Sequence, residues 1–528
     1  MEFTLPLFFQ ILLHICLLLS FSSSSQALSN LDTICNKTLH PNFCKSILTQ
    51  NHLQTKTIKD YGRFCISQSL TMSKTFKLLV DQHLLSTKNV SQITIYALQD
   101  CDYLTSLNID FLSTTTSILK PNDSLSSADI DYVQTLLSAT MTNLETCSDG
   151  LKEAWSPSSM ARDLSPQISN GTMLLSLTLA LFTEGWVPKT TPNGNYFPLK
   201  FDKVGHIILN TTVVVNPDGS GQFTTINDAI AAAPVNTKPN TGYFGIYVVA
   251  GVYEEYVNIP SNKKYLLMVG DGINRTIITG NRSVGDDWTT YKSATFAVTA
   301  TGFVAIDITF RNTAGAIKHQ AVALRSGADL SAFYRCSFEG YQDTLYAHSM
   351  RQFYKDCDIY GTVDFIFGNA AAVLQNCNIY ARQPLEQQYN LITAQGRTDL
   401  NQNTGLSIQQ STIRAADDLA STTFTVETYL GRPWKEYSRT VYMQSFIDGL
   451  IEPVGWHEWS GSFALNTLYY AEFNNTGLGS STANRVTWPG YHVIDQTVAS
   501  YFTVAYFIVG EFWLPSTGVP YTLGLFGK

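Results

Sequence analysis

Two aspartates that recur in step with a structural repeat could act together on one substrate carbon. The segments Phe333–Phe338 (FYRCSF), Phe353–Ile359 (FYKDCDI) and Val373–Ile379 (VLQNCNI) are variants of one strand pattern, and their cysteines stand 21 and 20 residues apart. Asp343 lies seven residues after Cys336 and Asp364 seven after Cys357, so both occupy the same phase of successive units. A period of that length with one strand pattern per unit predicts a solenoid of stacked parallel coils. In such a stack the two backbones lie one inter-strand spacing apart, roughly 4.7–4.9 Å. Two carboxyl groups at that range can address one substrate carbon. They cannot both ionise readily, so one pKa must rise unless a cation intervenes. Amide donors and a cation stand in conspicuous local contexts: Gln320 in QAVAL, Gln342 beside Asp343 in GYQDTL, and Arg432 in LGRPWK. A lone Asp in a solenoid turn ordinarily caps backbone or faces water; the shared phase sets this pair apart.

The elements that must position these residues fall into two halves. From about Asn30 to Trp186 apolar residues recur at helical spacing, as in Leu98, Cys101, Leu104, Leu107, Phe111 and again in Val133, Leu137, Met141, Leu144, Cys147. This predicts amphipathic helices packed as an all-α four-helix bundle over residues 28–186. Residues 187–209, with Pro188, Pro192, Gly194 and Pro198, break the periodicity and read as a linker. Residues 210–528 are rich in short alternating runs of Thr, Val, Tyr and Phe. With the repeat, they predict an all-β parallel β-helix.

Composition narrows the function. The chain has 528 residues, 44% hydrophobic and 14% charged, enough for two cores. A net charge of -8 argues against a phosphate-backbone surface and hence against nucleic acid as a partner. Leu5 to Phe21 is nearly uninterrupted apolar sequence followed by a serine cluster and Ser25-Gln26-Ala27, which reads as a signal peptide over residues 1–27 and leaves no stable membrane span after cleavage. Asn-x-Ser/Thr sequons at Asn36, Asn89, Asn122, Asn170, Asn210, Asn274, Asn281 and Asn474 suit the same secretory route. No C-x-x-C pair or HExxH helix is present, so no metal site or cofactor is implied. Cys35 and Cys44 flank a short turn and Cys101 and Cys147 lie on separate predicted helices, so two bridges are plausible there. By spacing alone, Cys336 to Cys357 and Cys357 to Cys377 are equally feasible bridges.

The second half resembles the plant pectin methylesterase family. The matching segments are GVYEE (251–255), QAVAL (320–324), GYQDTL (340–345), YGTVDFIFGNA (360–370) and LGRPWK (430–435), flanked by DGSGQFTTINDAI near Asp218 and WLPSTGVP near Trp513. The resemblance implies a right-handed β-helix that hydrolyses methyl esters of cell-wall homogalacturonan. It implies Asp364 as nucleophile, Asp343 as general acid and then base, Gln320 and Gln342 as oxyanion donors, and Arg432 as the partner that keeps Asp364 ionised. Thr290 and Trp434 would bind substrate with Gln320 and Arg432, while the aromatics Tyr360 and Phe367 suit a sugar face. The resemblance also favours a Cys357–Cys377 bridge and leaves Cys336 a buried thiol.

The first half is similar to the invertase and pectin methylesterase inhibitor family through ICNKTLHPNFC, LQDCDYL and MTNLETCSDGL. That likeness implies the pairs Cys35–Cys44 and Cys101–Cys147, and a pro-region that masks the groove or restrains the enzyme during secretion to the plant cell wall. A separate proteinaceous inhibitor is a further partner it implies. The chain departs from the family in two ways. NYFPLKFDKV carries only isolated Lys200 and Lys203 where relatives have a dibasic cleavage motif. From Lys200 onward 22 Lys and Arg oppose 27 Asp and Glu, a net of -5, which predicts weaker adhesion to anionic pectin.

Other classes fit less well. A polygalacturonase needs an acid and base flanking a glycosidic oxygen, and a pectate lyase a calcium site; neither explains the paired Gln, Asp and Arg set. A serine esterase would show a G-x-S-x-G elbow, which is absent. A non-catalytic wall-binding protein would have decayed motifs, yet all five are intact.

Overall fold

The computed structural model describes residues 31–49, 57–86, 90–121, 124–154, 159–188 and 207–527. The signal-peptide reading, the sequons at Asn89 and Asn122 and most of the linker lie outside them.

Four long helices form the first half: α1 (Ile58–Leu85), α2 (Gln92–Ile118), α3 (Ser127–Ala154) and α4 (Ser159–Trp186). Thr57 starts α1 with a reciprocal capping box to Asp60, satisfying two orphan amides of the first turn. The apolar stripes predicted from sequence face one another, burying Leu98, Leu104, Val133, Leu137, Leu144 and Phe182. Buried Asn108 donates to Thr140 O (3.0 Å) and accepts from Asn143 (2.8 Å), pinning the register of α2 against α3. The bridges Cys35–Cys44 and Cys101–Cys147 are both formed, and Cys65 remains a buried thiol whose pKa burial pushes up to about 12. No helix among the described residues is long and apolar enough to cross a membrane.

Beyond the linker the chain winds into coils whose strands stack, among the described residues, as three parallel sheets of eleven, seven and eight strands. The seven-stranded sheet positions the two phased aspartates: β1 (Val257–Ile259), β2 (Phe296–Val298), β3 (Leu324–Ser326), β4 (Leu345–Ala347), β5 (Ile366–Gly368), β6 (Asn390–Gln395) and β7 (Thr428–Gly431), each beside the next. Apolar rings fill the interior in columns; Phe333 stacks on Tyr354 (5.0 Å between centroids) and Phe310 on Phe338 (5.7 Å). The cysteine repeat marks a corner. Arg335, Asp356, Asn376, Gln410 and Gln444, each just before the corner residue, take positive φ between 50° and 57°, turning the chain from one sheet into the next.

That corner corrects one expectation. Cys336, Cys357 and Cys377 stand in a column but remain free thiols, so the Cys357–Cys377 bridge is not formed. The column continues as Ser411 and Ser445, and its members do one job: each donates to a carbonyl of the coil before. Cys357 Sγ reaches Phe333 O at 3.4 Å, Cys377 Sγ Tyr354 O at 3.6 Å, Ser411 Oγ Leu374 O and Ser445 Oγ Ile408 O, both at 3.4 Å. Side chains repeated by stacking point the same way, whereas a disulfide needs Cβ–S–S–Cβ near 90°. Burial holds both thiols well above their usual pKa.

Candidate active site

Asp343 and Asp364 sit at the turns entering β4 and β5. The register Leu345 to Ile366 places both two residues upstream of a paired position, one strand spacing apart as the repeat predicts. Each has positive φ (62° and 51°), a conformation Asp tolerates better than most residues, and Asp343 N donates to Val363 O at 3.1 Å. The two residues are 7% and 6% exposed. They line a cavity of about 270 Å³ with Gln320, Gln342, Arg432, Thr290, Phe367 and Trp434, so the sequence-predicted set comes together apart from one residue.

The exception is Tyr360. It lies on the strand Asp358–Gly361 of the eight-stranded sheet, where alternation turns it outward to stack on Tyr380 (4.5 Å), so it does not reach the cavity. Phe367 does line the wall, but as a buried ring stacked on Tyr346 (4.1 Å) and not as an exposed sugar platform. Trp434 closes over Gly396, where a Cβ would come within 2.7 Å of the indole.

The two acids are electrostatically unequal. Arg432 grips Asp364 with two parallel hydrogen bonds, Nε to Oδ1 at 2.9 Å and Nη2 to Oδ2 at 2.7 Å, and its guanidinium lies 4.3 Å from the Trp459 ring. Burial raises the Asp364 pKa and Arg432 opposes that rise. Asp343 has no such grip. Burial, then the charges of Asp364 and Glu153, push its pKa well above the carboxylate range, which favours its protonated form. Gln320 and Gln342 use backbone oxygens for structure, accepting from Val284 N (2.9 Å) and Ala321 N (3.2 Å). Among the described residues their side-chain amides make no hydrogen bond and face the cavity.

Sequence reasoning missed the far wall, which comes from the helical half. Thr146, Asp149, Gly150 and Glu153 of α3 line the same cavity. Glu153 accepts from Thr290 N (3.2 Å) and Oγ1 (3.0 Å), and Lys435 donates to Glu145 (2.6 Å) and Asp149 (2.8 Å). Tyr103 meets Thr299, Asp100 accepts from Thr289, and Arg351 joins Asp131 to Asp329. Helical periodicity locates α3 but not which of its acids meets a distant coil. Trp459 was missed because it sits in an irregular loop.

The pectinesterase family model matches residues 212–511 and the plant invertase/pectin methylesterase inhibitor model residues 29–181. The chain belongs to the pectinesterase family. It is 51% identical to probable pectinesterase/pectinesterase inhibitor 7 of Arabidopsis thaliana over 98% of this chain and 99% of that one. To pectinesterase 2 of Citrus sinensis it is 49% identical over 96% and 97%. Among solved structures it matches pectin methylesterase from carrot with a TM-score of 0.58 and 54% identity, covering 62% of this chain and all of that one. This pectinesterase thus carries an inhibitor-like helical portion and a β-helix on one polypeptide.

Proposed function

We propose that the chain hydrolyses the methyl esters of homogalacturonan in the plant cell wall, with Asp364 as nucleophile and Asp343 as general acid and base. The unequal setting of the two buried acids, Asp364 gripped by Arg432 and Asp343 without a cation of its own, is the observation that carries this reading. Asp364, kept ionised by Arg432, attacks the ester carbonyl carbon; Gln320 and Gln342, whose amides are uncommitted, donate to the developing oxyanion. Collapse breaks the bond to the methoxy oxygen, which leaves as methanol with the proton of Asp343. The Asp343 carboxylate then takes a proton from water, whose oxygen attacks the acyl-enzyme carbonyl and releases galacturonate and Asp364. Carboxylates are weak nucleophiles, so orientation and oxyanion stabilisation supply most of the acceleration.

The docked helical portion acts in this reading as an autoinhibitor, because Glu153 occupies Thr290 and α3 walls off the catalytic cavity. Methanol release from highly methylated pectin tests the chemistry. Activity in the parent, its loss in Asp364→Ala and Asp343→Ala, and unchanged polymer length support it; shortening of the polymer would point to a glycosidic cleavage instead. Masking is tested by comparing the full chain with residues 207–528. At least tenfold faster release by the latter is expected, and equal rates would refute it.

A further inference from the structure

Glu145, Asp149 and Glu153 recur every four residues on one face of α3, about 6 Å apart along the axis, a line of negative charges laid across the groove. The β-helix answers with Lys435 at one end and Thr290 at the other. Lys435 follows Trp434, its ammonium lies 5.1 Å from that ring, and among the described residues its only carboxylate partners are Glu145 and Asp149. Burial alone would lower the Lys435 pKa; Asp149 and Glu145 outweigh it and raise it, so the ammonium is charged. Once α3 leaves, the Lys435 cation and the Thr290 N–H and O–H would face the groove without the carboxylates that now meet them. Buried charges need partners. A chain of uronate units supplies a carboxylate on each unit in a row, whereas its methyl ester supplies none.

We propose that Lys435, with Thr290, forms a carboxylate-reading subsite for de-esterified galacturonate units of the polymer, and that the three acids of α3 fill it by imitating those units. This rests on the esterase reading above, yet it is tested by binding alone. The probes are a hexamer of galacturonate with free carboxylates and its fully methyl-esterified counterpart, titrated calorimetrically into the full chain. In Glu145→Gln/Asp149→Asn/Glu153→Gln the acidic hexamer is expected to bind at least tenfold tighter than in the parent, with no such gain for the methylated hexamer. Adding Lys435→Gln abolishes the gain and Lys435→Arg retains most of it, while thermal melts confirm that each variant is folded. Absence of a gain, a gain that survives Lys435→Gln, or equal gains for both hexamers would overturn the proposal. Methanol release, measured separately, decides the esterase reading whichever way binding falls.

Discussion

Replacing Arg432 by alanine would strip Asp364, a residue only 6% exposed in the parent, of its bidentate partner. Breaking a buried pair by removing one member costs about 3–5 kcal/mol. The protein can avoid part of that cost by protonating Asp364. At about 1.4 kcal/mol per pKa unit, the carboxyl would rise by roughly two to three units from a value burial already raises. In the proposed mechanism the active form is the carboxylate, so activity is lost on the acid side and recovers as pH rises through the new pKa. We therefore expect the acid limb of kcat/KM to move upward by about two to three pH units, so that the full loss of about two to three decades is reached on the acid side of the parent's own limb and shrinks as pH rises. Arg432→Lys keeps the charge but not the planar fork, so it should fall between the two. The assay is methanol release from pectin across a pH series, with a thermal melt to confirm folding. A folded Arg432→Ala enzyme with the parent's pH profile would falsify the claim that Arg432 holds the nucleophile ionised.

Asp343→Asn should lower kcat by about two to four decades in the same assay, because it keeps the shape but removes the proton delivered to methanol. Gln342→Ala should cost roughly two to three decades in kcat with little change in KM, since the donor acts on charge that develops only in the transition state. Reducing the Cys101–Cys147 link by the double alanine variant should destabilise the helical portion by about 3–4 kcal/mol for its 46-residue separation, read from urea unfolding. Docking of that portion should weaken with rising pH. Burial raises the pKa of Asp100, Glu153 and Asp131 against opposing contacts to Lys292, Thr290 and Arg351, so the docked state takes up protons. That stabilisation is full below the ordinary carboxylate range and lost as pH climbs through the raised values. Amide exchange in α2 and α3 should be slower at acidic than at neutral pH, corrected for intrinsic rates; the reverse trend would refute the sign.

The sequence made the β-helix and the paired aspartates legible for the same reason: a repeat preserves phase, so two acids seven residues beyond equivalent cysteines must share a corner. Arg432 and the two glutamines required the resemblance, because nothing local says that residue 432 returns to residue 364 two coils on. The thiol column misled because equal spacing measures proximity but not side-chain direction. Tyr360 misled because strand alternation around a coil sends neighbouring residues to different faces. Glu153 and Lys435 belong to a contact between two independently patterned halves, and periodicity within either half carries no information about where they touch.

The groove and the helices that cover it are one polypeptide, joined through the segment between Trp186 and Leu209. While that peptide connection lasts, re-docking is a unimolecular event, indifferent to how much protein the surroundings hold. Cutting it would turn the same contacts into a bimolecular equilibrium governed by dilution. Identical hydrogen bonds would then serve as a permanent cover before the cut and a fading one after it, so that a single scission would set a clock.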